Sequence, residues 1–147
     1  MKITIKKEFD GHSFVGNCDN IPGCFYQAEE KEALQEGLVK GLNIIRQNCS
    51  QRNQAFPTGK DTPLFDIRIR FDSLSTDQLV KFFESHNYHM EYIDPDCVLL
   101  LNSNFPFNRV FLPRRKHLSY LLVEKIFGVK NTVFIGRRRM KLNASVS

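Results

Sequence analysis

Phe14-Val15-Gly16-Asn17-Cys18, then Ile21-Pro22-Gly23-Cys24-Phe25-Tyr26-Gln27, then Glu29-Glu30-Lys31-Glu32-Ala33-Leu34 is the stretch on which the fold turns. Pro22 fixes φ and Gly23 supplies φ > 0, so Ile21–Cys24 reads as a type II turn between two short strands. Glu29, Glu30 and Glu32 put three carboxylates where a helix begins, beside its unpaired N–H groups and the positive end of its dipole. Leu34, Leu38, Leu42 and Ile45 recur on one helical face, which needs a sheet to cover it. Strand, turn, strand and helix therefore form one supersecondary unit.

Upstream, Lys2–Glu8 alternates charged and apolar residues, Asp10-Gly11 is a hairpin turn, and Ser13–Asn17 returns antiparallel. With Cys24–Gln27 as third strand, this meander lies on a helix over Glu29–Asn48. Ser50 to Pro63 has loop composition. Leu64–Phe71 alternates again, with Phe65, Ile67, Ile69 and Phe71 on one face, and could complete the first sheet as a fourth strand.

A second set of elements follows. Ser75-Thr76-Asp77 supplies a hydroxyl cap and an acid for a helix whose apolar face is Leu79, Val80, Phe82 and Phe83. Tyr88–Ile93, Cys97–Leu101 and Arg109–Leu112 read as strands, and His117–Phe127 as a last helix ended by Gly128. Thr132–Ile135 is a β-branched and aromatic run, either an edge strand that pairs with another sheet, as in a dimer, or core cover after the last helix.

A chain of 147 residues is one ordinary domain or two very small ones. Trp is absent and Phe occurs 13 times, so Phe supplies much of the core. No apolar run approaches the ~20 residues a bilayer demands, and the start alternates like a strand, so no membrane partner is expected and the protein should be soluble and cytoplasmic. Cys18, Cys24, Cys49 and Cys97 lie far apart without a Cys-x-x-Cys, so they read as reduced thiols, with no metal and no cofactor expected; Cys18 and Cys24 could still face each other on paired strands. The formal charge of +5 is uneven: residues 1–50 carry six Lys/Arg against seven Asp/Glu, and residues 51–147 carry fifteen against nine.

Phe9-Asp10-Gly11-His12-Ser13-Phe14-Val15, Ile21-Pro22-Gly23-Cys24, Ala28 and Glu32-Ala33-Leu34 resemble the N-terminal domain of HicB-type antitoxins, a partial RNase H fold, over the first third of the chain. One departure is Ala28-Glu29, where the family carries a small hydroxyl residue before the helix. The later order of helix, three strands and helix is that of a double-stranded-RNA-binding-type fold, and it resembles the HicA toxins that partner HicB. Asn87-Tyr88, Pro95-Asp96-Cys97, Val110-Phe111-Leu112-Pro113-Arg114-Arg115-Lys116 and Leu121–Ile126 occupy the corresponding places. The fold class implied is α+β: a β-β-β-α-β HicB-like module (1–72), an α-β-β-β-α HicA-like module (73–130) and a basic C-terminal tail (131–147).

The resemblance places the single catalytic His of HicA-type ribonucleases at Cys97. A thiol with an ordinary pKa of about 8.5, against about 6.5 for His, holds few thiolates at neutral pH and cannot carry positive charge to a phosphate. Pro95-Asp96 replaces the preceding Gly-Ser, and its acid would repel the scissile phosphate. The site is therefore read as catalytically silent, with His117 and His89 as the residues that would rescue cleavage. Arg109, Arg114, Arg115 and Lys116, with Arg137, Arg138, Arg139 and Lys141 of the tail, suit RNA phosphates by charge and by the guanidinium fork. Alternatively they form a solvated basic face, or meet acidic groups of the first module within one chain or between two.

The sequence thus implies a non-catalytic toxin–antitoxin-related protein that binds RNA or captures a cognate toxin or antitoxin, and a homo-oligomer. Two alternatives stand beside it: an mRNA-cleaving enzyme restrained by its own HicB-like half, and an oligomeric interaction protein without nucleic acid.

Overall fold

The Asp10-Gly11 turn closes the first hairpin as expected: Asp10 Oδ1 accepts from the N–H groups of His12 and Ser13 at 2.8 and 2.7 Å, and Gly11 has φ of 100°. The computed structural model describes residues 4–59, 67–70, 74–104, 108–128 and 132–135. Strands β1 (Ile5–Phe9), β2 (Phe14–Cys18) and β3 (Phe25–Ala28) form an antiparallel sheet in that order. Helix α1 (Lys31–Gln51) follows. After β4 (Ile67–Arg70) and α2 (Thr76–Glu84), strands β5 (Tyr88–Ile93), β6 (Cys97–Asn102) and β7 (Arg109–Pro113) form a second antiparallel sheet. Helix α3 (Tyr120–Phe127) and β8 (Thr132–Ile135) complete an α+β chain with three helices among the described residues. No helix there is long and apolar enough to cross a membrane.

The two sheets meet edge to edge. Cys24 bridges Phe111 in parallel, and Phe111 N–H donates to Gly23 O at 2.6 Å. Gly23 has φ of 84°, and a Cβ there would stand 1.9 Å from Arg109 O, so the Pro-Gly turn both reverses the chain and lets the second sheet approach. Alternation then splits the core into two clusters. Tyr26, Leu99 and Phe111 join Leu34, Leu38, Leu42 and Ile45 of α1 on one side. Phe25, Leu100 and Val110 join Leu79 and Phe83 of α2 and Leu122 and Phe127 of α3 on the other. The two sheets therefore pack together within one chain, with α1 on one side and α2 and α3 on the other.

Helix α1 lies close to this junction because it carries Gly37 and Gly41 one turn apart. A Cβ at Gly37 would meet the Tyr26 ring at 2.2 Å, and one at Gly41 the Phe111 ring at 2.5 Å. The two rings stack on each other, with centroids 6.2 Å apart.

Several expectations are corrected. Strand β4 does not extend the first sheet but pairs in parallel with β8, from Ile67 opposite Thr132 to Arg70 opposite Ile135. Thr132–Ile135 thus finds its partner inside the chain, and the intervening segment supplies the long crossover that parallel pairing requires. Helix α1 begins later than the acidic run suggests: Glu30 is its N-cap without a side-chain cap bond, and Glu32 is the acid of the first turn. Helix α3 begins at Tyr120 and not at His117, because Ser119 Oγ caps it by accepting from Leu121 N–H at 3.2 Å. For α2 the expected Ser75 cap forms, as a full capping box with Gln78. All four cysteines are buried.

Candidate functional site

Cys97 opens β6 on the α1 side of the sheet, with no exposed surface. Its Sγ–H points at Asp94 Oδ1 at 3.4 Å, and its N–H donates to the same oxygen at 2.9 Å. Burial, reinforced by the Asp94 carboxylate, pushes the thiol up to about 12, so it stays neutral across the physiological range. Asp94 itself is pushed up by its partial burial, but bonds from Lys40 Nζ and Tyr92 O–H, both at 2.8 Å, and from Asp96 N–H outweigh this and hold it below the usual carboxylate range. The position expected to have lost its catalytic His is thus a closed hydrogen-bonded corner.

His89 and His117 lie in different settings. His89 Nε2 is 2.8 Å from Glu91 Oε2, and Glu91 is gripped at both oxygens by Arg52 and at Oε1 by Asn48 Nδ2 at 2.7 Å. The Arg52 bond is the main reason the Glu91 carboxyl sits at about 2. His117 is exposed on the loop before α3, and its backbone oxygen accepts from Gln27 Nε2 at 3.2 Å.

The expected basic surface divides. Arg109 is only 7 % exposed; its Nε donates to Asn48 Oδ1 at 2.7 Å and its Nη2 to Gln54 Oε1. Burial lowers its pKa. It therefore does not belong to a phosphate-binding surface: β7 turns it under α1, where it fastens the end of that helix. Arg114 donates to Asp94 O at 3.2 Å and lies 3.8 Å from Asp77 Oδ1. Arg115 donates to Gln27 O at 2.7 Å and covers the Tyr26 ring at 5.2 Å. Lys116 is exposed. Arg137, Arg138, Arg139 and Lys141 lie outside the described residues.

Arg115, Lys116 and His117 line one side of an open cleft of about 550 Å³ at the start of α1, with Ser13, Gln27 and Glu30 among the residues opposite. Gln27 shapes it: its side chain also accepts from Ser119 N–H at 2.8 Å, tying β3 to the α3 cap. Sequence reading missed the roles of Gln27, Asp94 and Arg52, since each depends on a partner distant in sequence: Ser119 for Gln27, Lys40 for Asp94 and Glu91 for Arg52. The unclaimed N–H groups of the α1 terminus, with Lys116 and His117, suit one phosphate group. Glu29 and Glu30 stand on the same cleft, so its net charge is small. Among the described residues no cluster of His, Cys, Asp or Glu has the makings of a metal site.

Comparison with known protein families, with curated proteins and with solved structures finds no match to this chain.

Proposed function

We propose that this protein is a non-catalytic binding protein of toxin–antitoxin type, in which a HicB-like partial RNase H unit is fused to a HicA-like double-stranded-RNA-binding-type unit, and that it holds RNA by its phosphates. The observation that carries the silent-site reading is Cys97: a neutral, fully buried thiol against a carboxylate neither takes a proton from a ribose hydroxyl nor meets a phosphate. RNA binding is supported by the overall charge of +5 and by the cleft beside Lys116 and His117. Because Glu29 and Glu30 offset Arg115 and Lys116 on the cleft, the tail residues Arg137, Arg138, Arg139 and Lys141 supply most of the affinity in this reading. The cleft then fixes one phosphate and sets register.

Titrating labelled RNA into the full chain by fluorescence anisotropy over a series of salt concentrations tests this. Affinity should fall steeply with salt, and the slope should shrink by about one for each cation removed. Lys116→Glu should weaken binding several-fold, and reversal of the three tail arginines should weaken it more. A salt-independent affinity, or one unchanged in both variants, contradicts the reading.

The restrained-ribonuclease alternative has one favourable observation, the exposed His117 at the cleft mouth. Cleavage that disappears in His117→Ala would establish it. His89 is a weaker candidate because Glu91 already occupies its Nε2.

A further inference from the structure

We propose that the basic segment Arg137-Arg138-Arg139-Met140-Lys141 of one chain docks in the groove between α1 and β5 of a second copy. The groove holds about 730 Å³, with Val39, Ile44 and Tyr92 supplying apolar surface and Glu32, Glu36 and Lys40 supplying charge. Val39 of α1 is 46 % and Tyr92 of β5 38 % exposed, so apolar surface lies open on both elements that line the groove.

The charges around it are unbalanced. Glu32 and Glu36 are one turn apart on the same helical face, an i, i+4 like-charge pair that destabilises a helix. Lys40, one turn further on, does not relieve them: its Nζ is held by Asp94 at 2.8 Å and by Asp96 at 3.7 Å. Among the described residues the ion pairs use neither glutamate. A complementary occupant brings two or more cations and an apolar side chain within a few residues. The tail segment has that composition. Its guanidinium groups pair with carboxylates through two bonds and stack on an exposed Tyr ring, and Met140 fills irregular apolar space.

Reach selects the second copy. Strand β8, from which the segment leaves, packs against α3, and α3 lies across the sheet from α1. Residues 136–141 span at most ~20 Å when extended, about the combined thickness of one sheet and one helix, with nothing left for rounding the sheet edge. Exchange between two chains has no such limit. It is also self-complementary, so a two-fold dimer fills both grooves and closes. The same arginines carry most of the RNA affinity in the proposed function, so RNA competes with this exchange and the interface is tested without it.

The experiment is sedimentation of full-length chains in low salt over a range of concentrations. The parent chain should pass from monomer to dimer as concentration rises, and should return to monomer at high salt. Glu32→Lys with Glu36→Lys should be monomeric, as should Arg137→Glu with Arg138→Glu and Arg139→Glu. An equimolar mixture of these two variants should regain a dimer, because both combinations of groove and tail are complementary in the mixed pair. That rescue also shows both variants to be folded. A parent that stays monomeric, a single variant that dimerises like the parent, or a mixture that remains monomeric overturns the proposal.

Discussion

Gly41→Ala separates helix propensity from packing at the junction of the two sheets. In an unhindered helix this change stabilises by roughly 1 kcal/mol. Here the added methyl meets Cδ2 and Cε2 of Phe111 at 2.5 Å and Cys24 Sγ at 3.0 Å. Phe111 has no exposed surface and stacks on Tyr26, so its ring cannot swing into solvent to make room. Overpacking of a close-packed core costs about 1–3 kcal/mol, and a locked ring belongs to the upper half of that range. The net effect is a loss of about 1–2 kcal/mol, or a fall of roughly 3–6 °C in Tm for a chain of this size. Thermal unfolding followed by circular dichroism reads it directly. Asn43→Ala, on the exposed face of the same helix, gains propensity without a clash and should raise Tm slightly. A rise in Tm for Gly41→Ala would refute the close seating of α1 on the sheet junction.

Three further outcomes follow from the same geometry. Glu91 has its folded pKa depressed from 4.5 to about 2, so its stabilising contribution is present above 4.5 and is lost as pH falls toward 2; acid titration of the unfolding free energy should show this loss, and Glu91→Gln should flatten it. Cys97→His should create no ribonuclease and should destabilise by about 1–3 kcal/mol, since imidazole overfills a sealed site; cleavage gained with Tm unchanged would contradict the burial of that position. Arg109→Ala should cost roughly 2–3 kcal/mol by stripping Asn48 and Gln54 of their donor, measured by urea unfolding, while leaving RNA affinity of the still-folded fraction unchanged.

The local devices were legible in the sequence because each is written in neighbouring residues. Asp10-Gly11, Pro22-Gly23 and the Ser75 to Gln78 box each fix a turn or cap through side chains within four positions. Leu34, Leu38, Leu42 and Ile45 likewise gave the buried face of α1, since a helix has one period. What stayed hidden depends on partners distant in sequence. Alternation in Ile67–Arg70 sets its two faces but not its neighbour, and nothing in that segment names Thr132–Ile135. Arg109 looked like surface charge because it stands near Arg114 and Arg115. Its burial depends on Asn48 and Gln54, 61 and 55 residues away. The acidic start of α1 misled by two residues because Glu29 and Glu30 face the cleft and only Glu32 joins the first turn.

The most direct test of the central claim is to incubate the purified protein with a long labelled RNA at low salt and to follow cleavage and mobility shift in the same samples. The account predicts a salt-sensitive shift with the RNA intact, in the parent and in His117→Ala alike. Cleavage by the parent protein, abolished in His117→Ala, would contradict it.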